Sequence, residues 1–130
     1  MSAVVLDTHA WIWSLMAPDR LGGAAEAAIV AADSVLISPV SAYEVARKAG
    51  LGGWPEIVPH LDELLAETET LTAPFTREMA ARAASLAWRH RDPFDRFIAA
   101  TAIELRYPLV SKDREFDSLD SESGWPGRIW

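Results

Sequence analysis

The chain has 130 residues, of which 50% are hydrophobic and 24% are charged, and its formal net charge is −7. A chain of this length and composition can form its own core, so we expect one domain over residues 1–130. The lack of cysteine excludes disulfides, thiolate metal sites and cysteine nucleophiles, and the negative charge is opposite to the basic surface that usually binds the nucleic-acid backbone.

The first residues, MSAVVLD, do not have the basic region and long apolar segment of a signal peptide. No stretch of the chain approaches the roughly 20 apolar residues of a membrane span. We therefore expect a cytoplasmic protein, and the lack of cysteine fits a reducing compartment.

The first part of the chain alternates short apolar segments with helical patterns. We predict a strand at residues 3–6, a helix at 8–16, an Ala-rich helix at 24–32 and a strand at 34–38. The next helix is predicted to begin at Ser41 as its N-cap, with Glu44 in the capping-box position and Gly50 at its end.

The second part continues the alternation. We predict one or two helical pieces in residues 54–67 interrupted at Pro59, a short strand at 68–74, a long helix at 77–91 capped by Thr76, a buried helix at 92–107, a strand at 108–111, a helical turn at 113–116, and a tail that ends in a loop or an edge strand. Asp92 before Pro93 is a favourable N-cap and N1 pair for the buried helix.

This order predicts an α/β fold with a central, mainly parallel sheet of four to five strands flanked by helices. In such sheets, ligands bind outside the carboxyl ends of the strands.

Four carboxylates follow strands or begin helices at that edge. Asp7 follows the first strand, Glu44 lies just after the second, Asp95 lies in the first turn of the buried helix, and Asp113 lies just after the fourth strand. Carboxylates that converge in a cleft raise one another's pKa unless a cation neutralises them. Mg²⁺ or Mn²⁺, as one or two ions, would do so and would activate water for in-line attack on a phosphodiester.

Each of these acids also has a structural interpretation. Asp7 and Asp113 are ordinary loop or cap residues, Glu44 suits the capping box, and Asp92 is better explained as an N-cap, which leaves Asp95 as the inward carboxylate. Their shared edge favours the functional interpretation.

Polar and basic neighbours leave alternatives open. Thr8 and Ser111 either support a metal ligand or cap a local element. Four basic residues near the expected site either contact phosphate or remain solvated, namely Arg91, Arg96, Lys112 and Arg114. The histidines have no zinc-ligand spacing, and Trp11 and Trp13 lie on different faces of their helix, where packing is favoured over base stacking.

Four blocks of the sequence, taken together, resemble the signature motifs of the PIN-domain family, specifically the VapC ribonuclease toxins of bacterial toxin–antitoxin pairs. The blocks are LDTHAWIW (6–13), SAYEVARK (41–48), HRDPFDRFIAATA (90–102) and LVSKDREF (109–116), and they occur in order over most of the chain. Tyr43 stands where relatives often carry Trp, a difference that should leave the chemistry untouched.

The resemblance implies a PIN fold and a Mg²⁺- or Mn²⁺-dependent endoribonuclease that hydrolyses RNA phosphodiester bonds on an acidic quartet. By resemblance, Asp7, Glu44, Asp95 and Asp113 bind the metal, and Thr8 supports the first ligand. The implied partners are an RNA substrate, a VapB-type antitoxin and a second copy of the chain in a homodimer.

The same residues exclude two other classes of protein. A haloacid-dehalogenase-type phosphatase needs a second Asp where His9 stands, and a receiver domain needs an Asp where Ser38 and Pro39 follow the second strand. The remaining alternative is a catalytically silent PIN-like module that binds RNA or protein, and the presence of all four acids argues against it.

Overall fold

The computed structural model describes residues 2–130; Met1, the first residue of the expected domain, lies outside the described residues. Five strands form one parallel sheet in the order β3-β2-β1-β4-β5. They are β1 (Ala3–Leu6), β2 (Ser34–Ile37), β3 (Leu71–Thr72), β4 (Leu109–Val110) and β5 (Arg128–Ile129). The predicted α/β fold is confirmed, and the tail does end in an edge strand.

Helices connect and cover the strands. The α-helices are α1 (Thr8–Met16), α2 (Gly23–Ala31), α3 (Pro39–Gly50), α4 (Leu61–Ala66), α5 (Arg77–Ser85) and α6 (Pro93–Leu105), and short 3₁₀ helices span Pro18–Arg20, Val58–His60 and Arg114–Ser121. Within residues 2–130, none of these helices has the length and apolar character needed to cross a bilayer.

The central strand β1 separates two apolar cores. Val4 and Leu6 face a core built with α1, α2 and α4, while Val5 faces a second core built with α6. Strand side chains alternate between the two faces of a sheet, so a three-residue apolar run supplies both cores. The sheet is therefore buried on both faces, and Asp7 is the first residue beyond its most protected strand.

The predicted start of α3 is wrong by three residues. Ser38, not Ser41, is the N-cap: its hydroxyl accepts a hydrogen bond from the Val40 amide at 3.1 Å, and Pro39 occupies the first helical position. Ser41 lies inside the helix, fully buried, and Glu44 is therefore not a capping-box acid.

The predicted long helix at residues 77–91 is also wrong, because α5 ends at Ser85. Residues 86–92 leave the helix and place Trp88 in the core, where its indole N–H donates to the Ser118 hydroxyl at 2.7 Å. The tertiary contact outweighs the local helical pattern, which carries no information about it.

The strand at 3–6 and the helix at 8–16 have the predicted bounds, and the other predicted elements are present with shifted ends. The predicted strand at 68–74 is only Leu71–Thr72, and the predicted turn of helix at 113–116 extends as a 3₁₀ helix through Arg114–Ser121. Two helical pieces, Val58–His60 and Leu61–Ala66, occupy the predicted region, but Pro59 lies inside the first piece and does not interrupt it.

Candidate active site

A cleft of about 490 Å³ opens at the carboxyl ends of the central strands. All four predicted carboxylates line it, together with Asp92. The remaining lining residues are His9, Trp13, Lys48, His90 and Lys112. We call this cavity the acidic cleft.

Asp7 is held rigidly at the end of β1. Its backbone amide donates to the Val110 carbonyl at 2.9 Å, which continues the pairing of β1 with β4. Its two carboxylate oxygens accept hydrogen bonds from the Thr8 amide and the Ser111 hydroxyl, each at 2.7 Å. Burial raises the pKa of the Asp7 carboxyl, and these two hydrogen bonds only partly oppose that rise.

Thr8 and Ser111 hold the groups around Asp7 in place. The Thr8 hydroxyl donates to the buried Ser41 hydroxyl at 2.9 Å, which ties α1 to α3. The Ser111 hydroxyl, besides donating to Asp7, accepts from the Asp113 amide at 3.1 Å. Ser111 thus links the Asp7 carboxylate after β1 to the backbone of Asp113 after β4.

Asp95 and His90 form a close pair. The distance between Asp95 Oδ2 and His90 Nε2 is 2.6 Å. Burial raises the pKa of Asp95 from 3.8 to about 7, the hydrogen bond from His90 opposes this rise, and the nearby Asp7 charge adds to it. Partial burial alone would lower the pKa of His90, but the hydrogen bond and negative charge of Asp95 raise it.

The remaining two carboxylates complete the cleft. Glu44 lies one turn farther into α3 than predicted, is mostly buried, and pairs with Lys48 at 3.3 Å. Asp113 accepts a hydrogen bond from the Glu115 amide at 2.9 Å as the cap of the following 3₁₀ helix. Asp92 caps α6 through the Phe94 amide, as predicted, although it also lines the cleft.

The cleft has the donor set of a site for a hard divalent cation. One ligand atom each from His90, Asp95 and Asp113 lie within 4.8 Å of one another. Mg²⁺ and Mn²⁺ prefer oxygen ligands, so the carboxylates suit them better than the imidazole does. The pKa of both Asp7 and Asp95 is raised because burial makes the charged form of each carboxyl unfavourable. A bound cation would stabilise that charge.

The predicted basic residues are not all at the cleft. Of the four, only Lys112 lines it. Arg91 and Arg96 line a different cavity of about 790 Å³, which has no carboxylate among its lining residues. The Arg96 guanidinium donates to backbone carbonyls, with partners at Ala83, Leu86, Trp88 and His90. Arg114 is exposed and lines neither cavity.

Sequence reasoning missed His90, Lys48 and His9. His90 has no zinc-ligand spacing, but it lies five residues before Asp95 in one of the four signature blocks. Lys48 stands four residues after Glu44, a spacing that brings two side chains together on a helix and that would have identified the pair. His9 lies two residues after Asp7 in the first signature block, and its position there is the one sequence signal for it.

Comparison with known proteins gives consistent matches. The PIN domain family profile matches residues 4–122. Ribonuclease VapC22 from Mycobacterium tuberculosis (strain ATCC 25618 / H37Rv) is 38% identical over 120 residues, which cover 91% of this chain and 92% of that protein.

Solved structures share the fold at low sequence identity. VapBC-5 from Mycobacterium tuberculosis, of the VapBC family of toxin-antitoxin systems, matches with a TM-score of 0.68 and 23% identity over 95% of each chain. VapBC2 from Rickettsia felis, bound to a DNA fragment from their promoter, matches with a TM-score of 0.69 and 12% identity over 98% of this chain and 99% of that one. FitAcB from Neisseria gonorrhoeae matches with a TM-score of 0.60 and 21% identity over 90% of this chain and 93% of that one.

Proposed function

Because the chain belongs to the PIN domain family and is of the VapC type, we propose that it is a ribonuclease toxin of a VapBC toxin–antitoxin pair. Specifically, it is a Mg²⁺- or Mn²⁺-dependent endoribonuclease that hydrolyses RNA phosphodiester bonds in the cytoplasm. The observation that carries it is the convergence of Asp7, Glu44, Asp95 and Asp113 on one cleft at the carboxyl ends of the strands. The identity to Ribonuclease VapC22 supports the choice of RNA.

The residues present fit one or two divalent cations, with Asp7, Glu44, Asp95 and Asp113 as the ligands. A bound cation would polarise the phosphodiester and lower the pKa of the attacking water. No other part of the cleft offers a comparable group of oxygen donors among its lining residues.

Other residues of the chain hold the carboxylates in position and neutralise the charge of the substrate. Ser111 and the Thr8 amide fix the Asp7 carboxylate, and His90 orients Asp95. Lys112, at the rim of the cleft, supplies a positive charge for a phosphate next to the one that is cut. Arg96 keeps residues 86–92 folded and has no donor role toward RNA in this proposal.

The proposed partners are a VapB-type antitoxin and a second copy of the chain. VapBC-5 belongs to a toxin-antitoxin family, and its structure shares this fold. Expression of the chain alone is expected to arrest bacterial growth, and co-expression of its antitoxin is expected to restore it. Normal growth with the chain expressed in folded form would contradict the toxin role.

The nuclease proposal is tested directly with purified protein and a mixed pool of structured RNAs. Cleavage is expected with Mg²⁺ or Mn²⁺ and none with EDTA. Cleavage that continues in EDTA would remove the role of the cation, and no cleavage by the folded protein would favour a binding module.

A further inference from the structure

One wall of the acidic cleft is aromatic. We define the aromatic wall as His9, Trp13 and Trp54. His9 and Trp13 line both the acidic cleft and a neighbouring cavity of about 570 Å³, which Trp54 also lines. The ring centroids of His9 lie 5.6 Å from Trp13 and 5.2 Å from Trp54. The two cavities therefore share the His9 and Trp13 rings as a common boundary.

The rings of the wall are accessible and held in place. His9 is exposed, and both tryptophans are partly exposed while they pack against the first core. Trp13 packs against Trp130 at 5.9 Å between ring centroids, which fixes one side of the ring. A ring fixed in this way loses little conformational freedom when a flat ligand stacks on it.

Positive charges surround the wall in a chain whose net charge is −7. The Lys112 amine lies 5.8 Å and the Arg20 guanidinium 5.6 Å from the centroid of Trp13, and the Lys48 amine lies 4.5 Å from that of Trp54. Aromatic faces and nearby cations are the two features that proteins combine to bind single-stranded nucleic acid. Lys48 is paired with Glu44, and Asp19 and Glu56 also line the neighbouring cavity, so Lys112 and Arg20 are the cations that the wall offers to a phosphate.

We propose that the aromatic wall is a nucleobase subsite of the nuclease. An unpaired RNA base next to the scissile phosphodiester stacks on Trp13 and His9, and Lys112 and Arg20 contact the phosphate of that nucleotide. This inference rests on the proposed function, because the acidic cleft places the phosphodiester beside the wall. It adds that the substrate is single-stranded at this nucleotide, since a base inside a duplex is stacked on both faces by its neighbours and has no free face for a side chain.

The test compares an RNA oligonucleotide with an abasic one of the same length and charge. Binding is measured by fluorescence polarisation on protein that carries Asp7→Asn, so that the RNA is not cut. The protein that carries only Asp7→Asn is expected to bind the RNA roughly 5- to 100-fold more tightly than the abasic oligonucleotide. Trp13→Leu is expected to remove most of that ratio and to leave the affinity for the abasic chain unchanged, while Trp13→Phe retains part of it.

Two further variants separate stacking from folding. His9→Leu changes an exposed ring of the wall and is expected to reduce the ratio as well. Trp125→Phe changes a tryptophan that stacks on Phe116, outside the cleft, and is expected to keep the full ratio. An equal loss of affinity for both oligonucleotides in Trp13→Leu would make the effect structural and overturn the inference.

The remaining outcomes distinguish this inference from the proposed function. If the native chain cuts RNA but the Asp7→Asn protein binds both oligonucleotides equally, the subsite is disproved, the wall is left for a protein partner, and the nuclease function stands. If the chain neither binds nor cuts RNA, the proposed function fails and the subsite fails with it.

Discussion

At the scale of single residues, hydrogen bonds from neighbouring and from distant residues hold the carboxylates of the acidic cleft in place. The convergence of the four carboxylates on one cleft was predictable, because the carboxyl ends of parallel strands share one edge. The hydrogen bonds around them were not. The Ser111 hydroxyl contacts Asp7 across 104 positions of the chain, and no local pattern encodes a contact of that separation.

Ser111→Ala should impair the site without unfolding the protein. The change removes the donor to Asp7 Oδ2 and the acceptor of the Asp113 amide, so the Asp7 carboxylate and the Asp113 backbone each lose a contact that fixes them. We expect roughly 10- to 100-fold weaker Mn²⁺ binding or activity, the usual effect of losing a group that orients a metal ligand. The measurements are calorimetric Mn²⁺ titration and kcat/KM. Ser85→Ala, which changes an exposed hydroxyl bonded within its own helix, is the matched control, and equal values for the two variants would contradict the role of Ser111.

The pH dependence of stability follows from the raised pKa values at the cleft. Asp95 has a pKa of about 7 in the folded chain and 3.8 ordinarily, so the folded chain holds the proton between these values and its stability falls as pH rises from about 4 to 7. The raised pKa of His90 acts in the same direction above its ordinary 6.5, because its stabilising charge is lost.

The metal-free chain should therefore have a higher Tm at pH 5.5 than at pH 7.5. Mn²⁺ should raise Tm more at pH 7.5, where the carboxylates are ionised. Asp95→Asn should flatten the metal-free profile, because the amide does not titrate. A native metal-free Tm that increases over this pH range would show that the carboxylates are not destabilising when charged.

At the scale of elements, strands and helices were predicted where apolar periodicity and caps are local signals, and α1 has the predicted bounds. The errors arose where a distant contact decides the conformation. Residues 86–92 have a helical sequence, but Trp88 and the Arg96 guanidinium hold them in a non-helical course. Ser38 and Ser41 are both acceptable caps by sequence, and Pro39 at the first helical position marks Ser38 as the true one.

Arg96→Met should destabilise the fold. The methionine keeps much of the apolar stem but leaves up to four backbone carbonyls without the donor that they share in the native chain. We expect a loss of about 2–4 kcal/mol in the free energy of unfolding, measured by urea denaturation. Arg89→Met, at an exposed position in the same segment, is the control and should change stability by no more than about 0.5 kcal/mol. A similar small change for Arg96→Met would mean that water replaces the guanidinium without cost.

At the scale of the whole molecule, the proposed function requires a chain whose own net charge is −7 to bind a polyanion. Long-range attraction would therefore be weak, and binding would depend on the few cations near the cleft, Lys112 and Arg20. The aromatic wall and a bound divalent cation would supply what the surface charge does not.

This charge distribution predicts a shallow salt dependence of RNA binding. With two or three phosphate contacts, the slope of log K against log salt concentration should be about −1 to −2 for a single strand. Fluorescence polarisation of a labelled oligonucleotide over a salt series, at fixed Mg²⁺, measures it. A slope steeper than about −4 would require a basic surface beyond these residues.

In the proposed function, the acidic cleft cuts RNA with a divalent cation held by its carboxylates. This is best tested by cleavage of a mixed RNA pool by the native chain, by Asp7→Asn and by Asp62→Asn, which changes an exposed carboxylate on α4. We expect cleavage with Mg²⁺ or Mn²⁺ by the native chain and by Asp62→Asn, and a loss of at least about 100-fold in Asp7→Asn. Equal metal-dependent cleavage by all three folded proteins would contradict it and place the chemistry outside this cleft.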